Sequence, residues 1–200
     1  MSNSSTSETE VQHSHFVIYK PFGVLSQFKN NKTRKKRLLS DLHDFPENTM
    51  AIGRLDVDSE GLLFLTTDGK VSAVLRGKLK IEKEYLVQVD GIITQDAIEK
   101  MELGVEIGIK GTKYQTIPCQ AKLANAPGYL SERGRAIRDE RHGPTSWATI
   151  TLTEGKFRQV RKMTAAIGFP TLRLIRIRIG DTHLENRAIG SVEEVEWFKV

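Results

Sequence analysis

The sequence contains one cysteine, Cys119, and five scattered histidines among its 200 residues. A single cysteine excludes an intrachain disulfide and any zinc site built from several thiolates. The histidines lack the spacing that metal ligands show. We therefore expect a protein that is not stabilised by disulfides and that holds no metal.

Long apolar runs are also absent, since no segment approaches the ~20 apolar residues that span a bilayer. We expect no membrane association, and this composition favours the cytoplasm. Residues 1–15 are polar and lack both the apolar stretch of a secretory signal and the arginines of a mitochondrial presequence. We predict a disordered polar tail over residues 1–15 and one folded domain over residues 16–200.

Positive charge is concentrated in two segments. The formal net charge is only +5, but residues 29–37 and 156–178 contain six and seven Lys or Arg residues and no Asp or Glu. Such clusters are typical of proteins that bind a polyanion such as nucleic acid. A solvated basic face is the alternative interpretation for either segment alone. Residues 125–144 show no periodicity, and we predict a surface loop whose arginine-rich part, residues 133–142, becomes ordered on nucleic acid.

The apolar pattern predicts an α+β fold. Short alternating or β-branched segments are mixed with helical ones without a regular β-α-β rhythm, which favours a largely antiparallel, mixed sheet flanked by helices. Asp68 and Thr94 are suitable N-caps for two helices, and the second helix extends through Leu103, which can reach the core. Residues 157–167 have the spacing of a third helix, with Phe157 on its apolar face. In the strand over residues 84–89, alternation places Tyr85, Val87 and Val89 on one face and Leu86 on the other. The predicted strands cover residues 16–19, 61–67, 84–89, 116–123, 146–152, 172–179 and 195–200.

Acidic residues at 56, 58 and 60 directly precede an apolar run over residues 62–65. A carboxylate at the start of a buried strand is held rigidly and is partly shielded from water, as chemistry on a substrate requires. One interpretation is a calcium loop, because Asp56, Asp58, Glu60 and Gly61 match positions 1, 3, 5 and 6 of an EF-hand. The twelfth position is then Thr67, which cannot supply a bidentate carboxylate.

Two further interpretations use fewer carboxylates. In an extended segment Asp56 and Asp58 share one face about 7 Å apart, a separation that glycosidases use. A glycosidase also needs one protonated acid, however, whereas nearby arginines favour the ionised form of both. In the third interpretation Asp56 alone acts on a nucleotide, and Arg54 and other basic groups hold phosphates. The plainest alternative is that Asp56 only caps a turn.

Five segments resemble, in the same order, the motifs of pseudouridine synthases of the RsuA family. Together they lie within residues 16–181, and their order makes the resemblance specific. The segments are Lys20–Val24, Gly53–Thr66, Lys83–Val87, Glu154–Met163 and Leu174–Gly180. The resemblance implies a pseudouridine synthase catalytic fold, with an active-site cleft across the sheet. It also implies isomerisation of a uridine in 23S ribosomal RNA.

The resemblance further implies roles for individual residues. Asp56 corresponds to the essential carboxylate, which attacks the sugar, attacks the base or removes a sugar proton. Arg161 corresponds to the arginine that pairs with this carboxylate. Tyr85 corresponds to the tyrosine that stacks on the flipped-out base, and Leu174 to the apolar residue packed against it. We assign RNA or substrate contacts to Arg54, Lys156, Arg158, Leu174 and Arg176, and structural roles to Asp58 and Glu60.

One departure from the wider family concerns RNA affinity. Most members carry an N-terminal S4 RNA-binding domain, whereas here only about fifteen polar residues precede the first predicted strand, too few to fold alone. We therefore expect a monomer that binds large-subunit ribosomal RNA through its catalytic domain. The competing hypothesis is a ribosome-binding module that keeps the fold but has no activity.

Overall fold

A mixed β-sheet organises the computed structural model, which describes residues 12–29, 36–77, 80–133, 137 and 140–200. In these residues the sheet has nine strands: β1 (His15–Lys20), β2 (Met50–Ile52), β3 (Glu60–Thr66), β4 (Lys83–Asp90), β7 (Gln120–Ala124), β8 (Thr145–Leu152), β9 (Thr171–Ile179), β10 (Thr182–His183) and β11 (Val192–Val195). Their order in the sheet is β11-β1-β3-β9-β4-β8-β7, while β2 pairs with β3 and β10 with β9. A separate hairpin consists of β5 (Glu106–Ile109) and β6 (Thr112–Gln115).

Three helices accompany the sheet in the described part of the chain: α1 (Gly69–Gly77), α2 (Gln95–Glu102) and α3 (Gln159–Ala166). Two predicted caps are confirmed. Asp68 Oδ1 accepts hydrogen bonds from the Lys70 and Val71 amides, and Thr94 Oγ1 accepts one from the Ala97 amide. These side chains satisfy amides that have no partner within the helix. Within the described residues, no helix is long and apolar enough to cross a bilayer.

The predicted α+β fold with a largely antiparallel sheet is confirmed. Every pairing between named strands of the described sheet is antiparallel except that of β3 with β9, where Glu60 lies opposite Ile175 and Gly61 opposite Arg176. Gly61 has φ +105°, and a Cβ there would lie 2.3 Å from the Arg176 carbonyl oxygen. Glycine is thus required where the two strands meet.

The core explains the two kinds of apolar pattern in the sequence. Every residue of β3 is buried, which is why its apolar run is continuous rather than alternating. In β4 the pattern alternates, and the prediction for its faces is confirmed. Val87 and Val89 pack with Met101 of α2 on one side, while Leu86 belongs to the cluster on the other.

Some predicted boundaries are wrong. Of the predicted tail, residues 1–11 lie outside the described residues, but His15 is buried in β1 and its Nδ1 lies 2.8 Å from Thr66 Oγ1. Of the predicted strand over residues 116–123, only residues 120–123 are in a strand, β7; residues 116–119 lie between β6 and β7 and contain Pro118, which cannot donate a ladder hydrogen bond. The last strand ends at Val195.

Two predictions of burial are also wrong. Leu103, which the helical spacing placed against the core, is 76% exposed just after the end of α2. Phe157 is 59% exposed, because α3 begins at Gln159 and not at residue 157. The rest of that helix follows its pattern, and Gly168 follows it with φ +91°, as expected for a C-terminal glycine.

Candidate active site

Asp56 lies in a tight turn that leads into β3. The Ser59 amide donates to the Asp56 carbonyl, which closes the turn. Ser26 fixes the approach to it, since its Oγ donates to the Leu55 carbonyl and accepts from the Leu55 amide. The Gly23 amide donates to the Val57 carbonyl at 2.7 Å. The loop that follows β1 therefore holds the backbone around Asp56 at two points.

Arg158 is the cation nearest to Asp56. Its Nη1 lies 3.4 Å from Asp56 Oδ2, and its two terminal nitrogens donate to the two carboxylate oxygens of Asp58, each at 2.9 Å. Burial alone would raise the pKa of Asp58, but the hydrogen bonds from Arg158 and the charge of Arg161 outweigh it and lower that pKa. Arg158 thus bridges the two acidic side chains of the turn.

The structure differs from the expected pairing of Arg161 with Asp56. Arg161 Nη2 donates to the Asp58 carbonyl at 2.7 Å and lies 3.5 Å from Asp58 Oδ2. Its side chain is only 11% exposed, and burial lowers the pKa of Arg161 while Asp58 and Asp56 oppose that shift. Arg161 supports the backbone of the turn, and the direct ion pair with Asp56 belongs to Arg158, just before the start of α3.

Glu60, the first residue of β3 after the turn, is buried and paired with Arg173. It is 1% exposed, and its two oxygens accept hydrogen bonds from Nε and Nη2 of Arg173, each at 2.9 Å. This pairing rules out the calcium-loop interpretation, because Glu60 and Asp58 are both bound to guanidinium groups. The glycosidase interpretation fails too, since residues 56–59 form a turn rather than an extended segment.

A cleft of about 630 Å³ opens beside the turn. Asp56, Tyr85 and Leu174 all line it, although their positions in the sequence span more than a hundred residues. The Asp56 side chain is 19% exposed, so it reaches this space without facing bulk solvent. Arg54, Lys156, Arg158 and Arg176 line the same cleft. Seven of the eight predicted site residues therefore line the cleft, and Arg161 does not.

Arg176 lies deep in this cleft. Its side chain is 4% exposed overall, and its Nε donates to the Leu62 carbonyl at 2.8 Å. Its Nη2 is buried without a hydrogen-bond partner among the described residues. A buried, unpaired guanidinium nitrogen is costly unless something completes it. Among the described residues, this guanidinium nitrogen of Arg176 is therefore left without an acceptor.

The comparisons with known proteins agree with this geometry. The sequence model described as RNA pseudouridylate synthase matches residues 14–166. The chain belongs to this family. It is therefore an RNA pseudouridine synthase, an isomerase, and the predicted fold class and activity are confirmed.

Several relatives of this synthase have more specific names. It is 41% identical over 189 residues to "Ribosomal large subunit pseudouridine synthase E" of Vibrio parahaemolyticus serotype O3:K6 (strain RIMD 2210633), covering 94% of this chain and 76% of the relative. The protein of that name from Xanthomonas axonopodis pv. citri (strain 306) is 39% identical over 170 residues, covering 84% and 87%. A solved structure, "Crystal structure of pseudouridylate synthase", superposes with a TM-score of 0.72 at 26% identity, covering 92% of this chain and 70% of that one.

Sequence reasoning missed two supports of the synthase site. Lys20 is fully buried, and its Nζ donates to the Pro21 and Val24 carbonyls. Burial lowers the pKa of Lys20 to about 8, against the attraction of Glu60, Asp58 and Asp56. The sequence pattern of β1 did not indicate that Lys20 is buried, because lysine side chains are rarely buried in proteins.

Glu154 is the second missed support. Its carboxylate accepts hydrogen bonds from Tyr114 Oη at 2.6 Å and from Gln159 Nε2, and so joins the β5–β6 hairpin to the start of α3. Lys156 Nζ lies 4.8 Å from the Tyr114 ring centroid. The position of Glu154 in the basic motif was visible in the sequence, but its partner forty residues earlier was not.

Much of the remaining predicted basic surface lies outside the described residues. This applies to residues 30–35 of the first basic segment and to residues 134–136, 138 and 139 of the arginine-rich loop. Arg133, at the edge of that loop, has its guanidinium carbon 4.4 Å from the Phe22 ring centroid. The predicted ordering of this loop on RNA stays a prediction.

Proposed function

We propose that this synthase isomerises a uridine of 23S ribosomal RNA, the large-subunit RNA, and that it belongs to the RsuA branch of the synthases. The names of the Vibrio and Xanthomonas relatives, with the large share of each chain that aligns, support this substrate. The basic residues around the cleft suit a polyanionic ligand. In the alternative, a ribosome-binding module without activity, the Asp56 carboxylate in the cleft would have no catalytic role.

Asp56 is the essential carboxylate in this proposal. The observation that carries it is the placement of Asp56 in one cleft with Tyr85 and Leu174, beside the guanidinium of Arg158. The nearest guanidinium nitrogen of Arg158 lies 3.4 Å from Asp56 Oδ2. An ionised oxygen is what each of three roles requires: attack on the sugar, attack on the base, or removal of a sugar proton.

The reaction breaks the N1–C1′ and C5–H bonds of uridine and, after the base has turned, forms a C5–C1′ bond and an N1–H bond. Substrate and product are isomers, so the atoms balance without a second substrate, and the reaction requires no redox cofactor, ATP or metal. A base within a helix is out of reach, and the nucleotide must leave the stack at a cost of a few kcal/mol. Contacts with the extruded base in the cleft have to offset that cost.

The residues around Asp56 have complementary roles. Tyr85 stacks on the uracil ring and accepts the C5 proton, and Leu174 packs against the base. Arg176, which lines the cleft, contacts the flipped nucleotide. Arg161 holds the turn that presents Asp56, through the Asp58 carbonyl.

Backbone contacts belong to the basic residues at the edge of the cleft. Arg54 is exposed between this cleft and a second cavity of about 460 Å³ on the other side of the turn. Lys156 is also exposed. The Arg158 side chain is 34% exposed although it is paired with both acidic side chains of the turn. We assign phosphate contacts to all three residues.

The Asp56→Asn variant tests this proposal. It keeps the size of the side chain and removes the charge, so it should bind RNA and form no pseudouridine. The measurement is carbodiimide modification of pseudouridine, read by reverse transcription along large-subunit RNA incubated with each protein. Asp44→Asn, at an exposed position outside the cleft, is the matched control and should retain full activity. Equal modification by wild type and Asp56→Asn would remove Asp56 from catalysis, and no modification by wild type would overturn the substrate assignment.

A further inference from the structure

Phe157 is an aromatic residue exposed at the edge of the catalytic cleft. Its side chain is 59% exposed, and it lines the cleft that Asp56 lines. Among the large apolar side chains that are exposed in the described residues, it alone has this position. The core therefore does not account for it, and its place on the wall of the cleft distinguishes it from the other exposed apolar side chains of the described residues.

The ring is carried by a restrained segment. Lys162 Nζ lies 5.2 Å from the ring centroid and donates to the Gly108 carbonyl at 2.6 Å. The next residue, Arg158, has φ +52° and a guanidinium fixed on Asp58. The preceding residue is held as well, because the Lys156 amide donates to Gln159 Oε1. Phe157 is thus presented to the solvent by contacts on both sides of it.

Charge surrounds this apolar ring. Lys156, Arg158 and Lys162 lie within five positions of Phe157 in the sequence, and two of them line the cleft with it. An aromatic ring among cations is the arrangement that proteins use for unpaired nucleotides, because the ring stacks on a base while the cations contact the phosphates. The three cations match the negative charge of RNA phosphates, which an apolar protein segment lacks.

We propose that Phe157 stacks on the base of the nucleotide next to the flipped-out uridine. Extrusion of the target base removes one stacking partner from each neighbour. An aromatic ring at the mouth of the cleft replaces that partner and holds the opened strand in place. This inference rests on the proposed function, since it needs an RNA whose uridine enters the cleft.

Leucine and tyrosine substitutions separate stacking from bulk. Phe157→Leu keeps an apolar side chain without a π-face, whereas Phe157→Tyr keeps the ring. On large-subunit RNA transcribed in vitro, Phe157→Leu should lower kcat/KM about 10-fold, equivalent to about 1.4 kcal/mol. Phe157→Tyr should retain the wild-type kcat/KM, because it keeps the aromatic ring. Trp197→Leu, an equally exposed position outside the cleft, should have no effect. Phe157→Leu and Phe157→Tyr should unfold at the wild-type temperature because Phe157 is exposed.

Binding measurements distinguish stacking from charge. With a short single-stranded oligonucleotide that carries 2-aminopurine beside a uridine, wild type and Phe157→Tyr should quench the fluorescence, and Phe157→Leu should not. Phe157→Leu should leave the slope of log affinity against log salt unchanged, while Lys156→Ala should reduce it by about 1.

The outcomes separate the two proposals. An active wild type with Phe157→Leu equal to it in kcat/KM and in quenching overturns the stacking inference alone. A Phe157→Tyr variant as impaired as Phe157→Leu also overturns it, because the ring would then be irrelevant. Wild type that does not modify the transcript overturns the proposed substrate, and quenching of the oligonucleotide then still decides whether Phe157 stacks on RNA.

Discussion

Breaking the ion pair between Glu60 and Arg173 should destabilise the protein strongly. The two side chains are 1% and 5% exposed and share two hydrogen bonds of 2.9 Å. Arg173 also donates to the Ser131 carbonyl. Arg173→Met leaves a carboxylate buried without a partner, and such a change costs about 3 to 5 kcal/mol. For a protein of this size, each kcal/mol corresponds to about 2 to 4 °C in melting temperature.

A double-mutant cycle isolates the pair. Glu60→Gln should also be destabilised, because the buried Arg173 loses its anion. The double variant Glu60→Gln with Arg173→Met should be more stable than the sum of the two losses predicts, since no buried charge remains. Urea unfolding of the four proteins measures the coupling free energy. Losses that add within about 0.5 kcal/mol would refute the reasoning.

The remaining predictions concern one glycine and one lysine. Gly61→Ala should lower the free energy of unfolding by more than about 2 kcal/mol, because φ is +105° and the new Cβ would meet the Arg176 backbone, whereas Gly128→Ala should change little in urea unfolding. A large loss for Gly128 alone would contradict this. Burial lowers the pKa of Lys20 to about 8, so the folded state loses this proton before the unfolded state does. Stability relative to Lys20→Met should therefore rise by about 2 kcal/mol from pH 7.5 to 9.5, and a fall would contradict the burial.

Local sequence signals predicted the parts of the fold that depend on neighbouring residues. Asp68 and Thr94 were identified as caps because a cap acts on amides two or three positions away. The division of β4 into two faces followed from period-two alternation. The continuous apolar run over residues 62–65 predicted a buried strand, and every residue of β3 is buried.

Contacts distant in sequence could not be predicted in this way. Which arginine meets Asp56 depends on how α3 is rotated above the turn, and Arg158 and Arg161 differ by less than one helical turn. The resemblance favoured Arg161, whereas the structure places Arg158 nearer. Phe157 fits a helical pattern equally well whether α3 starts two residues earlier or later. Such boundaries are the least certain part of a pattern.

The parallel contact between β3 and β9 has a consequence for synthesis of the protein. It is the junction between two groups of strands, β11-β1-β3 with β2, and β9-β4-β8-β7 with β10. Residues 60 and 61 meet residues 175 and 176 there, across more than a hundred intervening positions. Closing so long a loop is slow. A ribosome that has released only the N-terminal half of this chain therefore holds a protein that cannot yet modify RNA, and activity begins when the last central strand docks.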